Sequence, residues 1–139
     1  MLFAFLLSTA LAGTKNVTAA AAIDPASIPV NTAAHLTSTM CNAGDAFVGG
    51  TAFLGTYLPL SMRYTIVSMP GVCRATRSGS YQYIYCTVSL NPGVCQDVEI
   101  DVTATTRGDT VIYVSADSAN VLRETNELDN RASVLLTAY

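Results

Sequence analysis

The sequence predicts an all-β fold, an immunoglobulin-like antiparallel β-sandwich of seven or eight strands. Three observations carry this: short segments alternate apolar and polar residues at period two, turn residues punctuate them at regular intervals, and no stretch sustains a helical period. The chain has 139 residues, enough for one domain with its own core. No linker, low-complexity tract or internal repeat divides it, so residues 16–139 read as one domain behind an apolar segment, residues 1–15.

That segment, Met1 to Ala12, closes on Ala10, Leu11 and Ala12, a small-x-small cleavage pattern, and is too short to span a bilayer. No Lys or Arg precedes its apolar core. It therefore reads either as a signal peptide or as a retained assembly segment. Asn16, Val17 and Thr18 form an N-glycosylation sequon at Asn16. Val17 to Ile23 is a first strand of poor composition, broken by Asp24, Pro25 and Pro29. Ala33 to Cys41 alternates into the turn signal Asn42, Ala43, Gly44, Asp45.

Gly49 and Gly50 open a strand over Thr51–Tyr57, closed by Leu58 and Pro59. Met62–Met69 is the next strand, stopped by Pro70 and Gly71. Cys73–Gly79 is polar and small, a loop or a short edge. Tyr81–Leu90 is a strand ended by Asn91, Pro92 and Gly93. Gln96–Thr105 alternates most clearly, with Val98, Ile100 and Val102 on one face and Asp97, Glu99 and Asp101 on the other. After the turn at Arg107, Gly108 and Asp109, Thr110–Ala116 has the β-branched and aromatic density of a buried strand. A polar loop, Asp117–Asn130, leads to the closing strand Arg131–Ala138, whose Ala132, Val134 and Leu136 repeat an apolar face.

Composition excludes some functions. Only 12% of residues are charged, the formal charge is −3, Lys15 is the single lysine and the six arginines are scattered, so no phosphate-binding patch is available for nucleic acid. Cys41, Cys73, Cys86 and Cys95 contain no CxxC pair and share one histidine, His35, which argues against zinc and for two disulfides in an oxidising compartment. Three connectivities are open. In a sandwich of this type the strand ending at Cys41 and the strand beginning after Cys95 are sheet neighbours, which favours Cys41 with Cys95 and Cys73 with Cys86.

Catalysis is not expected. His35 has no glycine-framed serine near it and the thiols are paired, so no nucleophile and base assemble. Asp97, Glu99 and Asp101 read as a solvated face. Tyr81, Tyr83 and Tyr85 line one strand face while Ile84, Cys86 and Val88 occupy the other; such a row suits cross-strand packing, a protein interface or a glycan site. Asp117, Asn120, Glu124, Asn126, Glu127, Asp129 and Asn130 offer the oxygen ligands that calcium prefers, but not at EF-hand spacing. Their expected role is to hold the turns of their own loop, with calcium the alternative and no other cofactor implied.

Three stretches carry a family resemblance: Asp24 to Val30, Asn42 to Gly44, and the Glu-x-Asn-Glu-x-Asp-Asn ending from Glu124 to Asn130. Together they resemble the CARDB domain, a cell-adhesion-related module of bacterial and archaeal surface proteins. Leu58 to Tyr64 and the Cys73, Cys86 pair are similar to a sister family, the conserved repeat domain of prokaryotic surface proteins that often carries isopeptide crosslinks. The lysine of that crosslink is missing here, the matching region being Ala19 to Ala22, so no crosslink is expected. The resemblance implies an extracellular, non-catalytic structural or adhesive module whose partners are further copies, other surface proteins or glycans. A pilus-like fibre joined by strand donation, with Met1–Ala12 as donor, is one form of it. A glycan- or calcium-binding surface module is the alternative.

Overall fold

The computed structural model describes residues 13–139 except 119, 121, 123, 125 and 127, so the apolar segment Met1–Ala12 lies outside the described residues. Among the described residues ten strands form two facing sheets. In chain order they are β1 (Val17–Asp24), β2 (Ser27–Ile28), β3 (Ala33–Asn42), β4 (Val48–Pro59), β5 (Arg63–Ser68), β6 (Cys73–Ser78), β7 (Tyr81–Leu90), β8 (Cys95–Thr103), β9 (Gly108–Ala116) and β10 (Arg131–Ala138). One sheet has the order β1-β3-β8-β5, the other β2-β10-β9-β4-β7-β6. All pairings are antiparallel except that of β2 with β10.

Two strands exceed the seven or eight expected. β2 is two residues long, anchored by buried Ile28, and too short to show a period. β6 falls where a loop or short edge was expected. It is an edge strand whose outward residues, Arg74 and Thr76 among them, are polar because only β7 covers one side of it. The path also crosses between sheets twice in the middle: β4 lies in the six-stranded sheet, β5 in the four-stranded one, and β6 and β7 return to the first.

Period-two burial builds the core. On β3, Ala34, Leu36 and Met40 point inward beside Val98, Ile100 and Val102 of β8, facing Leu54, Leu58, Ile84, Val88, Ile112 and Val114 of the other sheet. Ser38 and Thr56 are the polar residues between the sheets at mid-core, and their hydroxyls meet at 3.0 Å, so neither is left unsatisfied. Disulfides Cys41–Cys95 and Cys73–Cys86 each join residues directly opposite in register.

The first staples neighbours within the four-stranded sheet and the second ties edge strand β6 to β7. Their sequence separations of 54 and 13 imply loop-closure contributions of about 4 and about 3 kcal/mol respectively. Replacing Cys73 and Cys86 together by alanine is thus expected to lower unfolding free energy by about 3 kcal/mol, and replacing Cys41 and Cys95 by about 4. Urea denaturation checks both values and their order.

Candidate functional site

The outer face of the six-stranded sheet carries Phe53, Tyr57, Tyr81, Tyr83, Tyr85 and Tyr113. Register alone places them in rows: Ser133, Tyr113, Tyr57, Tyr83 and Thr76 lie side by side across β10, β9, β4, β7 and β6, and the next row reads Arg131, Ser115, Gly55, Tyr85, Arg74. Tyr57 and Tyr83 stack across strands with centroids 4.7 Å apart, Tyr83 and Tyr85 stack at 5.1 Å, and Phe53 meets Tyr85 edge-on at 5.4 Å. These four rings form one continuous ladder.

Gly55 makes the ladder possible. A Cβ there would come within 2.5 Å of the Tyr83 ring and 2.9 Å of Ser118, so the Tyr83 ring occupies space that any other residue at 55 would fill. The Tyr83 hydroxyl donates to Ser118 Oγ, and Ser118 N donates to the Phe53 carbonyl at 3.0 Å. Burial pushes the Tyr83 hydroxyl up to about 12, the hydrogen bond with Ser118 opposing it. Tyr83 and Tyr85 are consequently packing residues. Tyr81 and Tyr113 are not: they are 43% and 48% exposed, and neighbouring Val111 and Leu135 are 39% and 50% exposed. A solvated sheet face would be polar at these positions.

Tyr57, Tyr81, Tyr113, Ser115 and Arg131 line an open depression of about 400 Å³. A second, of about 520 Å³, adjoins it through Ser115 and Arg131 and is completed by Asp117, Ser118, Asn120 and Asn130. Phe53, Tyr57, Tyr113, Gly55, Arg74 and Arg131 join the Tyr81, Tyr83 and Tyr85 that the sequence predicts for this face. Tyr113, Phe53 and Tyr57 do alternate within their own strands, but nothing in the sequence sets the register that aligns those strands.

The closing loop holds itself and β1. Glu124 Oε1 accepts from Val17 N at 2.6 Å and Oε2 accepts from Asn130 Nδ2; the Asp129 carbonyl accepts from Ala19 N at 3.1 Å. Leu122 N donates to Asp117 Oδ2 and Leu128 N to Asn126 Oδ1, both at 2.9 Å, and Asp117 and Asn120 take left-handed backbone conformations that their side chains tolerate. Glu127 lies outside the described residues. Asn16, the sequon residue, donates through Nδ2 to Asp129 Oδ2 at 3.1 Å. Oδ1 of Asn16 and Oδ1 of Asp129 are buried without a hydrogen-bond partner. Among the described residues no three His, Cys, Asp or Glu side chains group as a metal site.

Asp97, Glu99 and Asp101 stand on the outer face of the opposite sheet. Thr39 bonds Asp97 at 2.7 Å, and His35 Nδ1 lies 2.8 Å from Asp101 with Nε2 3.7 Å from Glu99. The hydrogen bond to Asp101, helped by the two negative charges, holds His35 above its ordinary value. This cluster is a charge network on a half-exposed surface.

Glu124→Ala is expected to destabilise the fold by about 1.5–3 kcal/mol, because one carboxylate serves a backbone amide and a side-chain amide at once. Glu124→Gln should retain part of this. Thermal and chemical unfolding of the two variants beside wild type measures the difference.

No protein family matches the chain by sequence, and no curated protein matches it. Solved structures do. The crystal structure of the CARDB domain of the PF1109 protein from Pyrococcus furiosus, in complex with di-metal ions, is 20% identical and superposes with a TM-score of 0.66 over 91% of this chain and 90% of that one. The solution structure of the same domain gives 22% identity and a TM-score of 0.67 over 90% and 95%. Two sheets in this arrangement, superposable nearly end to end, mean that the chain has the immunoglobulin-like sandwich fold of the CARDB domain.

Proposed function

We propose that this chain is a non-catalytic extracellular module of a prokaryotic cell surface, structural or adhesive in role, and that the outer face of the six-stranded sheet is its working surface. The observation carrying this reading is the exposed cluster Tyr81, Tyr113, Val111 and Leu135 on a face where solvation alone would select polar residues. Two disulfides fit an oxidising compartment, and the CARDB fold fits a modular building block. Among the described residues no helix is long and apolar enough to cross a membrane.

A fibre is the extended form of this reading, with Met1–Ala12 of one copy adding to an open edge of the next. Support comes from position. Gly13 and Thr14 lie beside the β3–β4 turn, where Ala43 and Gly44 donate to the Asn16 carbonyl and Asp45 and Ala46 to that of Thr14, so the chain leaves the sandwich at one end. Removing residues 1–12 is expected to leave a folded monomer without filaments. Filaments of unchanged length in electron micrographs would rule strand donation out.

A calcium-binding variant rests on the two buried oxygens, Asn16 Oδ1 and Asp129 Oδ1, which point to oxygen-only ligation, and on the di-metal ions of the PF1109 domain. Calcium would have to raise the unfolding temperature and chelator reverse the rise; identical melting curves dismiss it.

The adhesive reading is tested with beads coated with the chain and applied to prokaryotic cell envelopes. Tyr113→Ser with Leu135→Ser should abolish attachment at unchanged stability, whereas Asp97→Asn with Glu99→Gln on the opposite sheet should not. Equal attachment by all three proteins contradicts the assignment.

A further inference from the structure

We infer that the ligand of the tyrosine face is an anionic polysaccharide, an inference that rests on reading this face as the working surface. A pyranose ring offers an apolar C–H face and a rim of hydroxyls, and the two adjoining depressions offer the complement. In the first, Tyr57, Tyr81 and Tyr113 supply aromatic surface with hydroxyls attached. In the second, Ser118 and Asn120 supply donors and acceptors beside the shared Ser115. The trough is open along its length, so it suits a chain rather than an enclosed small molecule.

Charge selects the class of chain. Arg131 stands where the depressions meet, and Arg74 stands at the far end of the same row, four strand spacings or about 19 Å away. Among the described residues neither makes an ion pair, in a protein whose net charge is −3. The acidic stripe Asp97, Glu99 and Asp101 lies on the other sheet. Among the described residues, the carboxylate lining the trough is that of Asp117, which is buried and accepts from Leu122 N; Glu124, beside the lining Asn130, is taken up by Val17 N and Asn130 Nδ2, and Asp109, at the start of β9, by Thr137 Oγ1. Two separated guanidinium groups flanking aromatic surface match a polymer carrying repeated carboxylates or sulfates, each able to take a bidentate contact. Among the described residues, the outer face of the six-stranded sheet in a second copy carries no acidic patch to receive them.

The test is titration calorimetry of the full chain with polygalacturonate, alginate, heparin and neutral dextran. Polyuronate or heparin should bind, the two arms telling carboxylated from sulfated chains, and added salt should weaken binding. Tyr113→Ala and Arg131→Gln, both exposed positions, should each weaken binding about tenfold or more, equal to about 1.4 kcal/mol, while Asp97→Asn leaves it unchanged. Failure of every polyanion to bind, equal affinity for dextran, or full affinity in both variants overturns the inference. Concentration-dependent self-association lost in Tyr113→Ala, with no polysaccharide bound, also overturns it and leaves the working surface in place. Loss of the working surface itself shows separately, as envelope attachment indifferent to Tyr113 and Leu135.

Discussion

The interaction on which the structure depends is the reach of the closing loop back to the first strand. Glu124 and Asp129, more than a hundred residues downstream, hold the outward amides of Val17 and Ala19, so an alanine-rich edge strand that is paired only with β3 acquires partners on its open side. β1 has little intrinsic strand propensity and few large side chains to bury. Its place in the sandwich comes from this contact and from its ladder with β3. The same loop carries Ser118, whose bonds to Phe53 and Tyr83 fix one margin of the aromatic ladder. Edge closure at one end and site geometry on one face are thus properties of a single connection.

Of the residues that resembled a family signature, Asn42, Gly44, Glu124, Asn126, Asp129 and Asn130 are fasteners. Asn42 is buried; its Nδ2 donates to the carbonyls of Ala46 and Leu90 and its Oδ1 accepts from Gly44 N. Gly44 admits the carbonyl of Thr14, which would lie 2.3 Å from a Cβ at that position. Glu124, Asn126, Asp129 and Asn130 serve amides of the loop and of β1. Asn42, Asn126 and Glu124 satisfy backbone groups at turns and at the open edge of β1 that have no ladder partner. Their chemistry says which fold this is and little about what it binds.

Strand periodicity made most of the sandwich legible. Gln96–Thr105 and Tyr81–Leu90 alternate so plainly that their inward faces, Val98, Ile100, Val102 and Ile84, Cys86, Val88, are the buried ones. The Cys41–Cys95 neighbour relation followed from the order of strands. β2 was invisible because two residues have no period, and β6 because Cys73 to Ser78 lacks β-branched and aromatic residues apart from Thr76. The site was legible only as a single row of tyrosines. That Tyr57 stands between Tyr113 and Tyr83, that Gly55 makes room for the Tyr83 ring, and that Arg131 and Arg74 close the neighbouring row are facts of register between strands far apart in sequence. The tyrosines also divide unexpectedly. Tyr83 and Tyr85 are spent on packing, and exposure falls to Tyr81 and Tyr113.

A division of labour follows, with fastening at the closing loop and recognition on the sheet. Native-state hydrogen exchange at the amides of Val17 and Ala19 tests that division most directly. If the loop is a fastener, both amides are protected to the level of core residues such as Leu36 and Ile100, with or without chelator. Exchange at the rate of a frayed edge, or protection that appears only when calcium is added, would contradict it.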